Sequence, residues 1–314
     1  MHAAVVESFD RPPAFVEVPA PESGSGELVM DVVAAAIHPR VRSQAAGTHY
    51  TSTDDLPLVP GVDGVGRTAD GTLRYFVLPD TRDGSMAERV VVDPRRSAVL
   101  PDGVDPVLIA AAMNPAMSSW MALTQRIVLP AGARVLVLGA TGSAGRLAVQ
   151  IAKRLGASHV AAAGRDVRKL GALTAIGADA LIALGGGEAA AGFAEAGRAL
   201  DVVLDYVWGD ATAAALRAIV PAREDDDRPL HWIEIGSVAS PESPIPSAAL
   251  RATDLRILGS GQGSVSPRAI VQELPALAAE ITRGGYDVPT RVVPLRDVTA
   301  AWGESTDERI VLVP

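Results

Sequence analysis

The sequence predicts an α/β fold: a doubly wound parallel sheet covered by helices, preceded by a mostly β region. Three observations predict it. In mid-chain, the run Arg134-Val135-Leu136-Val137-Leu138-Gly139-Ala140-Thr141-Gly142-Ser143-Ala144-Gly145 passes from β-branched and leucine residues into a glycine-rich turn. Beyond it, short unbroken apolar runs alternate with helical spacings, as in parallel strands buried on both faces. Before it, short apolar runs are separated by turns rich in Pro and Gly.

The upstream runs are Ala3–Val6, Leu28–Ala35 and Ala87–Val92. From about Ala116 the rhythm changes. Arg134–Leu138 reads as a strand. Gly142–Leu155 reads as a helix, because Ala144, Leu147, Ala148, Ile151, Ala152 and Leu155 recur at spacings of three and four. His159–Ala163 is a strand, and Asp166–Ile176 a helix stopped by Gly177. Asp201–Asp205 is a strand followed by the helix Asp210–Ile219. Trp232–Gly236 and Leu255–Leu258 are further strands. The helix Pro267–Arg283 and two short strands near Arg291–Pro294 and Arg309–Val313 close the chain. Glu224-Asp225-Asp226-Asp227 reads as a solvated loop. No repeat at solenoid periods is visible.

At 314 residues the chain exceeds one ordinary domain. A net charge of −9 disfavours nucleic acid and anionic membrane surfaces as main partners. The absence of cysteine removes disulfides, a thiol nucleophile and thiolate metal sites. No apolar run reads as long enough to cross a bilayer. Met1-His2-Ala3-Ala4-Val5-Val6-Glu7 shows no basic stretch leading into an apolar one, so no secretory signal is expected, and the cytoplasm is the expected compartment.

Strand, tight glycine turn and helix together aim free backbone N–H groups at a diphosphate. Ala140-x-Gly142-x-x-Gly145 departs from the usual dinucleotide pattern in its first position, where Ala140 follows Gly139. Thr141, Ser143 and Ala144 complete the turn. A tight turn with no ligand is the competing reading; the further βα units weigh against it. NAD sites place an acid at the end of the next strand, where this chain has Gly164 followed by Arg165. A guanidinium binds a 2′-phosphate that a carboxylate would repel, and Lys169 lies one helical turn on. These residues favour NADPH; the bland alternative is a solvated helix start with Asp166 as its N-cap.

Nearly end to end, the chain resembles the medium-chain dehydrogenase/reductase superfamily, in its zinc-free quinone oxidoreductase and enoyl reductase branch. Pro60-Gly61-Val62-Asp63-Gly64-Val65-Gly66 is similar to that family's "PGxDGxG" turn, and Ser85–Val92 to its "GxxAEYxxV" strand. Met1–Phe9, Asn114–Leu123, Val135–Gly156 and Leu255–Ser260 match in order and spacing. The resemblance implies a GroES-like β domain over residues 1–115 and 265–314, a Rossmann domain over 116–264, and an active site in the cleft. Zinc-bearing relatives take a Cys within the segment matching His38–Ser43 and a His in the turn, where this chain has Val62; with no cysteine present, no metal is expected.

The reaction implied is hydride transfer from NADPH to a quinone or to the C=C of an α,β-unsaturated carbonyl. Without a Lewis acid, hydrogen bonds must polarise the carbonyl. Many members carry Asn and Tyr where His38 and Ser43 stand, so the donor is open: Tyr50 first, then His49, with Ser43 and Arg42 available. His38, Arg42 and Trp208 are expected at the substrate pocket, although Trp208 also suits a core. By analogy, Ser118, Ser119 and Trp120 begin the helix into the cofactor domain. Together with that helix start, Tyr206-Val207-Trp208-Gly209 and Ile235-Gly236-Ser237 are expected to reach the nicotinamide end, and Gly259-Ser260-Gly261-Gln262-Gly263 to touch the cofactor or to serve as a hinge, with Val207, Gly236, Ser237 and Ser260 as contacts. A homodimer through Leu255–Leu258 is expected from the family. An NADPH-binding sensor with little turnover, or a carbonyl or enone reductase of narrow specificity, are the alternatives.

Overall fold

The computed structural model describes residues 1–49, 51–185 and 187–314. The chain divides into two compact units, Met1–Asn114 with Val271–Pro314, and Pro115–Ile270.

The first unit begins with an antiparallel pair, β1 (His2–Val5) and β2 (Ala14–Glu17). Next come β3 (Leu28–Ala36), α1 (Pro39–Ala45), β4 (Asp63–Arg67), β5 (Leu73–Val77), β6 (Arg89–Val92) and β7 (Ser97–Val99). In β3 the inward positions Met30 and Val32 alternate with less buried neighbours, the two-residue period of a half-buried strand, and Ala34–Ala36 at its end are buried throughout. Extended backbone at His38 followed by Pro39 starts α1, since proline there sacrifices an N–H that has no helical partner. The helix α2 (Pro106–Met121) leads out of this stretch, carries Pro115 in its interior and widens into a π-helical turn at Ala122–Arg126.

In the second unit β8 (Arg134–Leu138), α3 (Ser143–Arg154), β9 (His159–Gly164), α4 (Val167–Ala172), β10 (Ala180–Ala183), α5 (Ala189–Gly197), β11 (Val202–Asp205), α6 (Asp210–Ile219), β12 (Leu230–Glu234), α7 (Ala249–Ala252) and β13 (Leu255–Gly259) follow one another. The six strands are parallel in the order β10-β9-β8-β11-β12-β13. The order reverses between β8 and β11, the switch point outside which open α/β sheets bind ligands. Val135, Leu136, Val137 and Leu138 are fully buried. Trp232, Phe193, Leu216 and Ile219 belong to the core cluster that includes Leu136 and Leu138.

The returning part of the first unit carries α8 (Pro267–Thr282), β14 (Thr290–Pro294), α9 (Val298–Trp302) and β15 (Arg309–Val313). β15 pairs with β3, which completes a seven-stranded sheet in the order β14-β15-β3-β4-β5-β7, with β6 also on β3.

Three expectations are corrected. Ser118, Ser119 and Trp120 lie at the end of α2, not at the start of a helix, because the apolar spacing already begins at Pro106. Pro106–Arg126 is long and apolar enough to cross a membrane by length and composition, yet about 67% of its apolar window is buried in the fold; Ile109, Ala110, Ala111, Ala112 and Met113 are fully covered. The helix Asp166–Ile176 is an α-helix to Ala172 and a 3₁₀ turn over Leu173–Ile176, capped by Asp166 at one end and left-handed Gly177 at the other.

Candidate active site

The turn after β8 is built by close approach. A Cβ at Gly145 would lie 2.3 Å from the Gly139 carbonyl oxygen and 2.7 Å from Ala140 Cα, so the start of α3 can sit on the turn only without a side chain there. Gly139 takes a φ of +91° to make the bend. Ala140 donates its N–H to Ala163 and is fully buried, so it anchors the turn to β9. Gly142 is the N-cap of α3 and offers no side-chain cap. The N–H groups of Ser143, Ala144 and Gly145 therefore belong to the orphan donors of a helix start, next to the positive end of its dipole. No acidic side chain stands in the first turn of α3. That arrangement fits a dinucleotide diphosphate.

At the end of β9, Gly164 is buried against Thr141: a Cβ there would meet Thr141 Cγ2 at 2.5 Å. An acidic side chain for a ribose diol therefore has no room unless Thr141 moves. Arg165 is exposed immediately beyond it. Asp166 accepts from the Lys169 N–H at 3.0 Å and caps α4; that bond holds its carboxylate below the usual range. Arg165 and Lys169 thus bracket a capped helix start on the strand next to the turn.

Beyond β11, the buried Asp205 organises the chain. One carboxylate oxygen accepts from the N–H groups of Val207 at 2.9 Å and Trp208 at 3.0 Å; the other accepts from Thr212 at 2.6 Å and the Trp232 indole at 2.9 Å. Trp208 is held at φ +58°, the one non-glycine residue in left-handed backbone among the described residues. Its side chain packs beside the core cluster of Trp232 and Leu216, and Val207 does likewise. Gly236 lies against the Tyr206 backbone: a Cβ there would meet the Tyr206 carbonyl oxygen at 3.5 Å. Ser237 is exposed, whereas Ser260 is buried and donates its N–H to Glu234. The structure therefore gathers Ala140–Gly145, Gly164, Arg165, Val207, Gly236, Ser237 and Ser260 at the carboxyl ends of one parallel sheet or the turns following them.

In the first unit, His38 and Asp63 are each 2% exposed and meet at 2.9 Å through His38 Nε2. Tyr75, fully buried, donates to the other Asp63 oxygen at 2.8 Å. Arg309 is also buried and donates to the Ile37 carbonyl. Burial lowers the His38 pKa from its ordinary value, against the opposing pull of Asp63; burial and Asp63 both push Tyr75 up. His38 Nδ1 is buried without a hydrogen-bond partner. Sequence reasoning named His38 but missed Asp63 and Tyr75, since only the pairing of β4 with β5 sets them on one face.

Ser43 donates to the Arg40 carbonyl at 2.9 Å, so its proton is spent on its own helix. His49 contacts Thr51 at 2.8 Å; Thr51 in turn bonds Asp80, which pairs with Arg40. Burial and the Arg40 charge lower the His49 pKa. Arg42 lies 5.6 Å over the Trp302 ring and lines a cavity of about 360 Å³ with Phe9 and Thr299. Tyr50, the first-choice donor, lies outside the described residues.

Comparison with known proteins follows the same line. No family model matches the chain. The chain is 31% identical to the probable NADPH-dependent quinone reductase tdiC of Emericella nidulans over 361 residues, with 100% of both chains covered. It is 30% identical to the chloroplastic NADPH-dependent alkenal/one oxidoreductase of Arabidopsis thaliana over 179 residues, 52% of this chain and 46% of that one. Among solved structures it is similar to the quinone oxidoreductase of Thermus thermophilus, with a TM-score of 0.78, 26% identity and 100% of both chains covered. With a GroES-like unit, a Rossmann unit and a full-length relative of this kind, the chain belongs to the medium-chain dehydrogenase/reductase superfamily, in its zeta-crystallin-like branch of quinone and enoyl reductases.

Proposed function

We propose that the chain is an NADPH-dependent oxidoreductase that reduces a quinone or the C=C of an α,β-unsaturated carbonyl. The observation that carries this reading is the uncapped α3 start at Gly142–Gly145 beside a β9 end that reads Gly164-Arg165. The first binds a diphosphate through backbone donors, and the second excludes an acid and supplies a cation for a 2′-phosphate. The full-length relative named an NADPH-dependent quinone reductase supports the reading.

NADPH supplies the hydride when bound; the protein supplies orientation and hydrogen bonds. The amides of Thr141 and Ser143–Gly145 would hold the diphosphate, since the Gly142 N–H is donated to Gly139; Arg165 and Lys169 would grip the adenosine phosphate, and Val207, Gly236, Ser237 and Ser260 would border the dinucleotide. The electrophile is polarised without a metal in this proposal. The chain has no cysteine, Val62 stands where a ligand would be needed, and the His38 Nε2 atom is engaged by Asp63. A homodimer through β13, an edge strand of the six-stranded sheet, completes the proposal.

The test is NADPH oxidation by the purified chain with 1,4-naphthoquinone and with a panel of enones. Turnover with either class is the expected result. Tight NADPH binding with no oxidation across both panels would instead identify a cofactor-binding sensor.

A further inference from the structure

Tyr206 is the first residue past β11, in a segment that the family resemblance brings to the nicotinamide end of the cofactor, and its phenol has no role so far. Its N–H donates to Leu138 at 3.0 Å, which ties it to the end of β8. Glycines stand on both flanks: a Cβ at Gly139 would lie 3.2 Å from Tyr206 Cβ, and one at Gly236 would lie 3.8 Å from Tyr206 Cα. The Val207 and Trp208 N–H groups are clamped by Asp205, so the backbone that follows Tyr206 is fixed as well.

The phenol is equally constrained. Its oxygen lies 2.9 Å from Ser118 Oγ on α2. Ser118 donates its single proton to the Pro115 carbonyl at 2.7 Å. The phenol must then be the donor in the pair, and its own lone pairs stay available. Burial pushes the phenol up to about 12, partly offset by hydrogen bonds with Ser118 and Ser119, so it stays protonated across the working pH range.

Topology says what meets it. A diphosphate on the turn after β8, with its adenosine phosphate read at Arg165 after β9, sends the other half of an extended dinucleotide the opposite way. The strand on that side of β8 is β11. We propose that the Tyr206 phenol, steered by Ser118, binds the carboxamide of the nicotinamide ring. With its one proton given to Ser118, the phenol oxygen is left as an acceptor, which suits the NH₂ group of the amide. This proposal rests on the NADPH reading above and names a cofactor-positioning pair within it.

Two ligands separate the ends of the cofactor: NADPH, and adenosine 2′,5′-bisphosphate, which lacks the nicotinamide half. Calorimetric titration of wild type, Tyr206→Phe and Ser118→Ala with both provides the test. The expected result for Tyr206→Phe is about five- to tenfold weaker NADPH binding, the range of one neutral hydrogen bond, with bisphosphate affinity unchanged. Ser118→Ala, which retains the phenol but frees its direction, should show a loss of the same kind and smaller size. Unchanged NADPH affinity in both variants, or equal loss for both ligands, overturns the proposal. Were Tyr206→Phe to fold poorly by circular dichroism, Ser118→Ala alone decides on the same criteria. Wild type that binds neither ligand overturns the NADPH reading itself, which is a distinct outcome.

Discussion

At the residue scale, the proposed reading of the adenosine phosphate turns on the space beside Thr141. A carboxylate at position 164 would need a Cβ 2.5 Å from Thr141 Cγ2, so the steric reason for Gly164 and the electrostatic reason for Arg165 act together. Arg165→Asp is expected to lower the NADPH/NADH preference about tenfold or more, since a charged hydrogen bond contributes about 1.5–3 kcal/mol. Steady-state kinetics with both cofactors measures it, and an unchanged ratio would remove Arg165 as the phosphate reader. Asp205 poses a different problem: a fully buried carboxylate satisfied by four donors, two of them backbone N–H groups. Asp205→Asn places an NH₂ where an acceptor is required. Urea unfolding should show a loss of about 2–4 kcal/mol, because donors are left buried and unpaired.

His38 adds a pH dependence at the same scale. Its folded pKa lies below its ordinary value of 6.5 because burial disfavours the charged ring. Above pH 6.5 the ring is neutral in both folded and unfolded chains. As the pH falls below 6.5 the unfolded chain takes up a proton that the folded chain refuses, so stability decreases toward acid by about 1.4 kcal/mol per pH unit until the folded pKa is reached. Thermal melts between pH 7.5 and 5 should show that decline, and His38→Gln should flatten it. A decline of equal slope in the variant would assign the effect to other groups.

Elements show a second level of control. The helix α3 was readable to within one residue at each end, because its apolar spacing and flanking glycines are local signals. Gly145→Ala tests the contact that no local signal reveals. Its Cβ would sit 2.3 Å from the Gly139 oxygen, so α3 must lift from the turn. Loss of NADPH binding and a lower Tm are expected; retention of both would mean the turn is more compliant than its packing indicates. β10 and α5 escaped the sequence reading. Ala180–Ala183 is short, and Ala189–Gly197 is nearly all small residues, so neither presents a clear period. β4 was hidden for a related reason: Asp63-Gly64-Val65-Gly66-Arg67 has two glycines and reads as a turn. In the fold a Cβ on Gly64 or Gly66 would meet Phe76 at 3.0 or 3.2 Å, so these glycines admit an aromatic neighbour.

For the whole molecule, the order β10-β9-β8-β11-β12-β13 leaves β13 at one edge of the sheet, with Leu255, Ile257 and Leu258 half-buried. Light scattering is expected to give twice the mass of one chain. A monomer at micromolar concentration would remove the edge-pairing proposal, without bearing on the cofactor site.

By itself the sequence determined the α/β class, the position of the glycine turn after β8, the missing acid at the end of β9 and the absence of cysteine ligands. These depend on neighbours in the chain: periodicity, glycine spacing and residue type. Tertiary structure alone decided the rest. The His38–Asp63–Tyr75 cluster joins residues 25 and 12 positions apart through sheet register. Ser118 and Tyr206 meet across 88 residues because α2 packs where β11 ends. Side chains that act together at such separations are brought to one place by burying apolar surface, and no local pattern records which polar atoms that burial will leave facing each other.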